Sequence, residues 1–407
     1  MRLSLGIGPS LSRHDLPPFW EIDFTRATPG YSTTAPSGLL YSRASSAGTT
    51  VQTGTSSLVA CPTTADVLRF GRALDAWDVG LVHETDTTTR ITESNNFSSA
   101  QITTSGTVSR TAAPDVPDPL GGSAATRLTT PDGTGSLTFL KTGLALNAAQ
   151  TASIWLRPVT PGTDLGFNTT GVTGSTSYAG VILAAPAVWR RLDATNFASA
   201  GGGVRAYPLY GPAMAGLGAG PRDWYAWGFG FEPGLYPHET VQTSGAERTS
   251  AGDLLRVPDA QWAPFASDGR LRLELQFRPK GARVELEGTP YLFHTFDNAS
   301  AWLNPATGLL TLRDTAGATN TCTLPSFARY ALTDLWIAVG GGATTVVRYR
   351  LDSGITVALS VTGSALGSMR TSSRDLYLLN ANVANQLSCW LYRARVWRPG
   401  LTPAWVA

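Results

Sequence analysis

The chain has 407 residues with 31 Lys and Arg against 29 Asp and Glu, a formal net charge of +2, too small and too evenly spread for an electrostatic nucleic-acid interface. Hydrophobic residues make up 42% and charged residues only 15%, so real cores can form while Thr, Ser, Gly and Ala fill the balance. That mix disfavours helix, because Thr loses side-chain freedom and Gly pays backbone entropy there; it suits short strands joined by turns, which 43 Gly and 26 Pro supply.

Residues 1–18 end in Pro17-Pro18 and read as an arm that orders against a partner. Their start, Met1 to Gly8, lacks the long apolar stretch of a signal peptide, and no run approaches the roughly 18 apolar residues of a membrane helix. The expectation is synthesis in the cytoplasm without membrane insertion. Residues 19–90 hold brief apolar fragments between Thr, Ser and Gly stretches. Trp20 to Phe24 and Val67 to Phe70 alternate as strands do, but the region is too sparse to bury much surface alone. It is expected to be an extended segment clasping a neighbour. The nearest approach to a helix is Thr64–Leu68.

Residues 91–255 carry strand patterns at Ala125–Leu128, Ser136–Leu140, Ala152–Leu156, Val181–Leu183, Val188-Trp189 and Trp224–Phe229, each bounded by Gly, Pro, Asn or Asp. Many short strands with regular turns predict a β-sandwich, with Gly201–Gly220 as a long flexible loop. Residues 256–407 predict a second sandwich. Leu271–Phe277 is a period-2 strand with Arg272, Glu274 and Gln276 on the face opposite its apolar residues. Leu335–Val339 reads as a central strand, and Val346–Leu351 with Gly354–Val361 as a hairpin around Asp352-Ser-Gly354. Leu376–Leu379 and Trp390–Trp397 close the series. The fold class is therefore all-β: two antiparallel β-sandwiches preceded by an extended segment.

Little in the chain points to catalysis. The four histidines, His14, His83, His238 and His294, form no HxxxH or HExxH pattern, and the chain has no GxSxG or GxxxxGKS motif. Gly201-Gly-Gly203 and Gly340-Gly-Gly342 precede no predicted helix and read as turns. Glu285 and Glu287 would share one strand face about 7 Å apart, a spacing that does not exclude a glycosidase pair, although a solvated face is the simpler reading. Cys61, Cys322 and Cys389 are odd in number, far apart and without CxxC spacing, so buried thiols are expected rather than disulfides or a zinc site. No metal or cofactor is expected from these patterns.

Binding is better supported. Sugars stack apolar C–H patches on exposed rings while nearby polar groups take the hydroxyls. Of 12 Trp, Trp155, Trp227, Trp336 and Trp397 sit inside strand patterns and should be core. Two clusters remain: Asp297, Asn298 and Trp302 near a strand end, and Tyr207, Tyr210 and Trp224 around the glycine-rich loop. The second also reads as a contact surface with another subunit.

Three stretches in order resemble a family of bacteriophage structural proteins described as head-spike, tail-fibre or minor tail proteins. Ser42-Arg-Ala-Ser-Ser46 with Val67-Leu-Arg-Phe70 is similar to that family's T-R-A-S-x-A-T … P-R-F. Gly80-Leu-Val-His-Glu84, Thr89-Arg90 and Glu93-Ser-Asn95 resemble G-L-L-I-E-x-x-R-T-N. Trp227-Gly-Phe-Gly-Phe-Glu232, then Pro237 to Arg248 and Asp253, resemble W-G-x-Q-x-E-x-G-x-x-x-T-S-Y-I-x-T … T-R-x-A-D. The departures are His83 for an aliphatic residue, Phe229 to Phe231 without the Gln, and His238-Glu-Thr240 in place of Thr-Ser-Tyr. The resemblance covers roughly residues 20–255 and implies a sandwich like carbohydrate-binding modules. Residues 256–407 look like a laminin-G or concanavalin-like, jelly-roll lectin sandwich. In such sandwiches, loops like that at Asp297 hold ligand or calcium through oxygen atoms.

The resemblance implies a non-enzymatic surface protein of a bacteriophage or gene-transfer-agent-like particle, a head spike or fibre, released by lysis. Its expected partners are other particle proteins through the N-terminal region, further copies of itself in a homo-oligomer, and a host surface glycan. The alternatives are a free carbohydrate-binding protein or a glycan-cleaving tail enzyme.

Overall fold

The computed structural model describes residues 19–25, 27, 30–32, 39–43, 50–52, 56–60, 68–72, 79–84, 87–172, 178–198, 202–250, 252–286, 288–295, 297–370, 373–380 and 386–406. The predicted N-terminal arm, His14, Cys61, Glu287 and residues 64–67 of the candidate helix lie outside them. The protein is all-β. The helical elements among the described residues are single turns at Asp259–Trp262, Ala263–Ala266 and Arg283–Glu285.

The chain divides into two compact units, one drawn from Met1–Ser45, Thr64–Asp86 and Ala251–Ala407, the other from Ser46–Thr63 and Thr87–Ser250. In the first, here the C-terminal unit, a nine-stranded antiparallel sheet runs in the order Gly30–Ser32, Leu68–Arg72, Val79–His83, Cys389–Trp397, Arg270–Pro279, Thr333–Gly340, Val346–Leu351 and Val357–Leu359, with Phe19–Asp23 also pairing Cys389–Trp397. A seven-stranded sheet runs Thr319–Thr323, Leu309–Arg313, Ser300–Leu303, Tyr291–Thr295, Leu376–Leu378, Asp253–Val257 and Leu40–Arg43. One core joins the inner faces of both. Leu271, Leu273, Leu275 and Phe277 supply it from one sheet, Phe293, Leu310, Leu312, Leu376 and Leu378 from the other. Alternation puts them there: in a strand every second side chain faces the same way.

Within residues 19–90, Phe19–Asp23, Gly30–Ser32, Leu40–Arg43, Leu68–Arg72 and Val79–His83 contribute strands to these sheets, whereas Thr50–Gln52 pairs with Leu58–Ala60 and Thr87–Thr89 with Arg248–Ser250 in the other unit. Trp20, Ile22 and Phe24 are buried in the same core, and the backbone groups of Phe19–Asp23 are paired with Arg393 to Trp397 of the same chain. A segment too poor in apolar residues to fold alone thus buries its few on a larger core.

The second, central unit holds two five-stranded sheets. One runs Ser109–Ala112, Thr126–Thr130, Arg222–Pro233, Ala149–Pro158 and Arg190–Phe197, the other Tyr178–Ile182, Leu165–Gly171, Val204–Tyr210, Ser136–Lys141 and Ile102–Ser105. Leu128, Ile154, Leu156, Phe229 and Phe231 of the first meet Leu137, Phe139, Phe167 and Leu209 of the second in one core.

Two local expectations are corrected. Gly201–Gly220 is not one long loop, because Val204, Ala206 and Leu209 are apolar enough to be buried as a central strand. Val188-Trp189 is not a strand but the turn before Arg190–Phe197, with the Trp189 indole donating to the Pro117 carbonyl at 2.8 Å. The Val346–Leu351 and Val357–Leu359 hairpin forms, with Asp352 at φ 47° and Ser353 at φ 57°, in the left-handed region that tight hairpins require.

Candidate functional site

The sheet faces turned away from the two cores carry the aromatic side chains that the cores do not use. On the outer face of the seven-stranded sheet the register aligns Leu40, Arg256, Tyr377 and His294 across four strands, and Tyr291 beside Trp302 and Thr311 across three. The ring centres of Tyr377 and His294 lie 6.5 Å apart, His294 and Tyr291 5.7 Å, and Tyr291 and Trp302 5.9 Å. The Arg256 guanidinium sits 5.9 Å from the Tyr377 ring centre, a cation–π distance. The result is a continuous belt of four rings ending in a cation. Tyr291, His294 and Trp302 are half-buried, whereas Tyr377 is buried at 9% exposure.

A bulge builds this belt. Tyr291 faces Trp302 and Phe293 faces Ala301, so the Tyr291–Thr295 strand spends two steps where its partner spends one. The extra residue shifts the alternation. Leu292 and Phe293 both enter the core, and Tyr291 and His294, three apart in sequence, both face outward. The central unit repeats the device. Leu137 faces Leu209 and Phe139 faces Ala206, so the Val204–Tyr210 strand carries one extra residue there. Pro208 sits at this point, a bulge being one of the few places a strand tolerates proline. Tyr207 and Tyr210 therefore share the outer face, half-buried, with ring centres 4.7 Å apart. The Tyr207 and Thr170 hydroxyls are 3.1 Å apart.

The residues singled out in sequence divide accordingly. Trp302 belongs to the belt, and Tyr207 and Tyr210 form the second outward pair. Trp224 does not join them. It is 1% exposed, packed in the central core, with its indole donating to the Asp164 carbonyl at 3.0 Å. The turn between two adjacent strands left it looking accessible, but its place opposite Leu128 puts it on the inward face. Asn298 occupies the left-handed position of the hairpin turn at φ 70°, a conformation Asn tolerates well. The Asp297 carboxylate is 9% exposed and is paired with the Arg374 guanidinium at 3.4 Å. Calcium takes six to eight oxygens; the Asp297 carboxylate instead meets the Arg374 guanidinium, and no group of three His, Cys, Asp or Glu side chains placed to hold a metal occurs among the described residues. Glu285 is not on a strand but in a 3-10 turn, held by Arg329 at 2.6 Å and accepting from the Ala282 amide at 2.7 Å.

Sequence reasoning missed Tyr291, His294, Tyr377 and Arg256. The signal available was the pattern aromatic–apolar–apolar–aromatic, present in Tyr291-Leu-Phe-His294 and Tyr207-Pro-Leu-Tyr210, in which two adjacent inward residues betray a bulge.

The resemblance-bearing stretches have a different fate. Arg69, Glu84 and Asp253, one from each, meet inside the C-terminal unit. Arg69 donates to Glu84 at 2.7 Å and to Asp253 at 2.6 Å, and its side chain has 0% exposure. Lys280 reaches the other Glu84 oxygen at 2.5 Å, Tyr41 donates to Asp253 at 2.5 Å, and the Glu84 amide donates to Asp253 at 2.9 Å. Two cations and two carboxylates cancel. Burial opposes the charge on Arg69, but Asp253 and Glu84 outweigh it and hold its pKa well above the ordinary value. His83, beside them, is completely buried, with Nδ1 3.0 Å from the Leu387 carbonyl and its pKa pushed down by burial. A neutralised cluster sealed from solvent has no access for substrate; it fixes the strands it joins. Cys322 and Cys389 are buried free thiols, and burial raises the Cys322 pKa to about 11.

Fold and faces together define an all-β protein of two sandwiches that present aromatic side chains on outer sheet surfaces. No protein-family model matches the chain, and no curated protein matches it.

Proposed function

We propose that the protein is a glycan-contacting surface component of a bacteriophage or phage-like particle, a head spike or fibre whose work is contact rather than turnover. The observation that carries the contact reading is the belt of Tyr377, His294, Tyr291 and Trp302 with Arg256 at its end. Spaced rings on a sheet face suit a polymer, because half-buried Tyr291, His294 and Trp302 offer apolar surface to the C–H faces of sugars and the intervening polar groups meet hydroxyls, while Tyr377, 9% exposed, backs the row. Tyr207 and Tyr210 supply a smaller patch of the same kind.

The particle assignment is supported by the three family-like stretches and by the low charge with Thr and Gly richness of the sequence. The N-terminal region, further copies of the chain and a host polysaccharide remain the partners this reading names. The experiment is immunogold labelling of intact particles from the producing strain, combined with retention of the purified chain on host polysaccharide beads. Label at fixed positions on particles and retention of the protein are the expected results. Free protein without particle association points instead to a soluble carbohydrate-binding protein, and release of reducing sugar from the beads points to a glycan-cleaving enzyme.

A further inference from the structure

The outer face of the nine-stranded sheet is a ladder of charges. Glu21, Arg395, Glu274, Trp336 and Arg348 lie in one row across five strands, and Asp23, Arg393, Gln276, Asp334 and Arg350 in the next. Each carboxylate in these rows has its cation: Glu21 with Arg395 at 2.6 Å, Asp23 with Arg393 at 3.3 Å, Glu274 with Arg395 at 3.3 Å, Asp334 with Arg350 at 2.8 Å. Residues 398–406 cross this face. The Trp405 indole donates to Glu274 at 2.8 Å, its carbonyl accepts from Thr356 at 2.7 Å, and the Arg350 guanidinium lies 5.0 Å from its ring centre.

Beside this crossing segment a groove of about 390 Å³ opens, lined among others by Arg270, Arg272, Arg348, Trp336, Leu401 and Val406. Here the charges do not cancel. Arg272 is paired with Asp268 at 2.6 Å. Arg270 donates to the carbonyls of Thr344 at 2.7 Å and Ala338 at 3.4 Å and has no carboxylate partner among the described residues. Half-buried Arg348 forms no ion pair among them either. Burial, and then the neighbouring Arg272, pull the pKa of Arg270 down against the opposing pull of Asp268. Three guanidinium groups thus face one groove with one carboxylate between them.

We infer that this groove binds the carboxylate of an acidic saccharide. Guanidinium groups recognise planar carboxylates through paired hydrogen bonds, which supplies the anion. The volume corresponds to the share of roughly a dozen waters, far more than a bare ion needs and enough for a sugar ring. Leu401, 40% exposed at the lip, with Val406 and Val346 gives that ring apolar walls. The site is separate from the aromatic belt, so it stands or falls independently.

The test is calorimetric titration of the full chain with a glucuronate-containing oligosaccharide and with its carboxyl-reduced neutral counterpart. The acidic form is expected to bind at least about tenfold more tightly, as loss of a charge-assisted hydrogen bond implies, and to weaken as salt screens the groove. Arg348→Glu removes that preference while Leu146→Ala, at a side chain 64% exposed in the other unit, retains it; Arg348→Gln reads the same loss if the charge reversal fails to fold. Equal binding of the two oligosaccharides, or an acidic preference unchanged in both Arg348 variants, overturns the inference. So does inorganic sulfate competing as strongly as the uronate, which would mean an ion site without sugar recognition.

Discussion

Arg69 has no exposed surface yet carries a full charge, and its two carboxylate partners come from strand ends far apart in sequence. Removing one partner of such a group leaves the others charged, buried and uncompensated, which costs about 3–5 kcal/mol. Arg69→Met is therefore expected to lower unfolding free energy by about that amount, read as a shift of the urea midpoint at unchanged slope. His83 beside it sets a pH dependence. Burial holds its imidazole below the ordinary pKa, so the folded protein keeps it neutral while the unfolded chain takes up a proton as pH falls through about 6.5. The unfolded state then binds more protons, and stability decreases from about pH 6.5 downward until the depressed folded value is passed. His294, also held low by burial, adds to the same slope. Urea titrations at pH 7.5 and 5.5 should show this loss, and His83→Gln should make it smaller.

Among elements, the bulged strands matter most. Regular alternation made Leu271–Phe277 legible as a strand, and the structure extends it to Arg270–Pro279 with its apolar residues inward. The same logic fails at Tyr291–Thr295, where Leu292 and Phe293 are both inward; a period-2 pattern broken by one residue reads as no pattern at all. Trp302 was visible because it is a tryptophan near polar turn residues, whereas Tyr291 with His294, Tyr377 and Arg256 are brought to it by register from three other segments. Trp224 misled for the converse reason, since facing was assigned from a nearby loop rather than from its partner Leu128. Arg69, Glu84 and Asp253 stand in the family-like stretches, but nothing local says that they touch. Tight element junctions make their own prediction. Gly340, at φ 88°, ends the Thr333–Gly340 strand, and an added Cβ would lie 2.4 Å from Met369 Cγ and 2.8 Å from the Gly367 carbonyl oxygen. Gly340→Ala combines backbone strain with overlap and should destabilise by more than about 1 kcal/mol, measured by thermal or urea unfolding.

At the scale of the whole molecule, the all-β class and the two sandwiches follow from composition and turn spacing, because Thr- and Gly-rich chains with little charge have few other ways to bury 42% hydrophobic residues. What composition does not carry is the assignment of early residues to late sheets. Phe19–Asp23 lies beside Cys389–Trp397, a pairing set by matching apolar faces across most of the chain. The claim on which the functional account rests is that the outward rings of the seven-stranded sheet hold glycan. It is tested most directly by the affinity of the intact chain for host surface polysaccharide, compared with a Tyr291→Ala, Trp302→Ala double variant whose unfolding curve confirms a native fold. Loss of two stacked rings should weaken binding about tenfold or more; equal affinity of the two proteins, or no measurable binding by either, would contradict it.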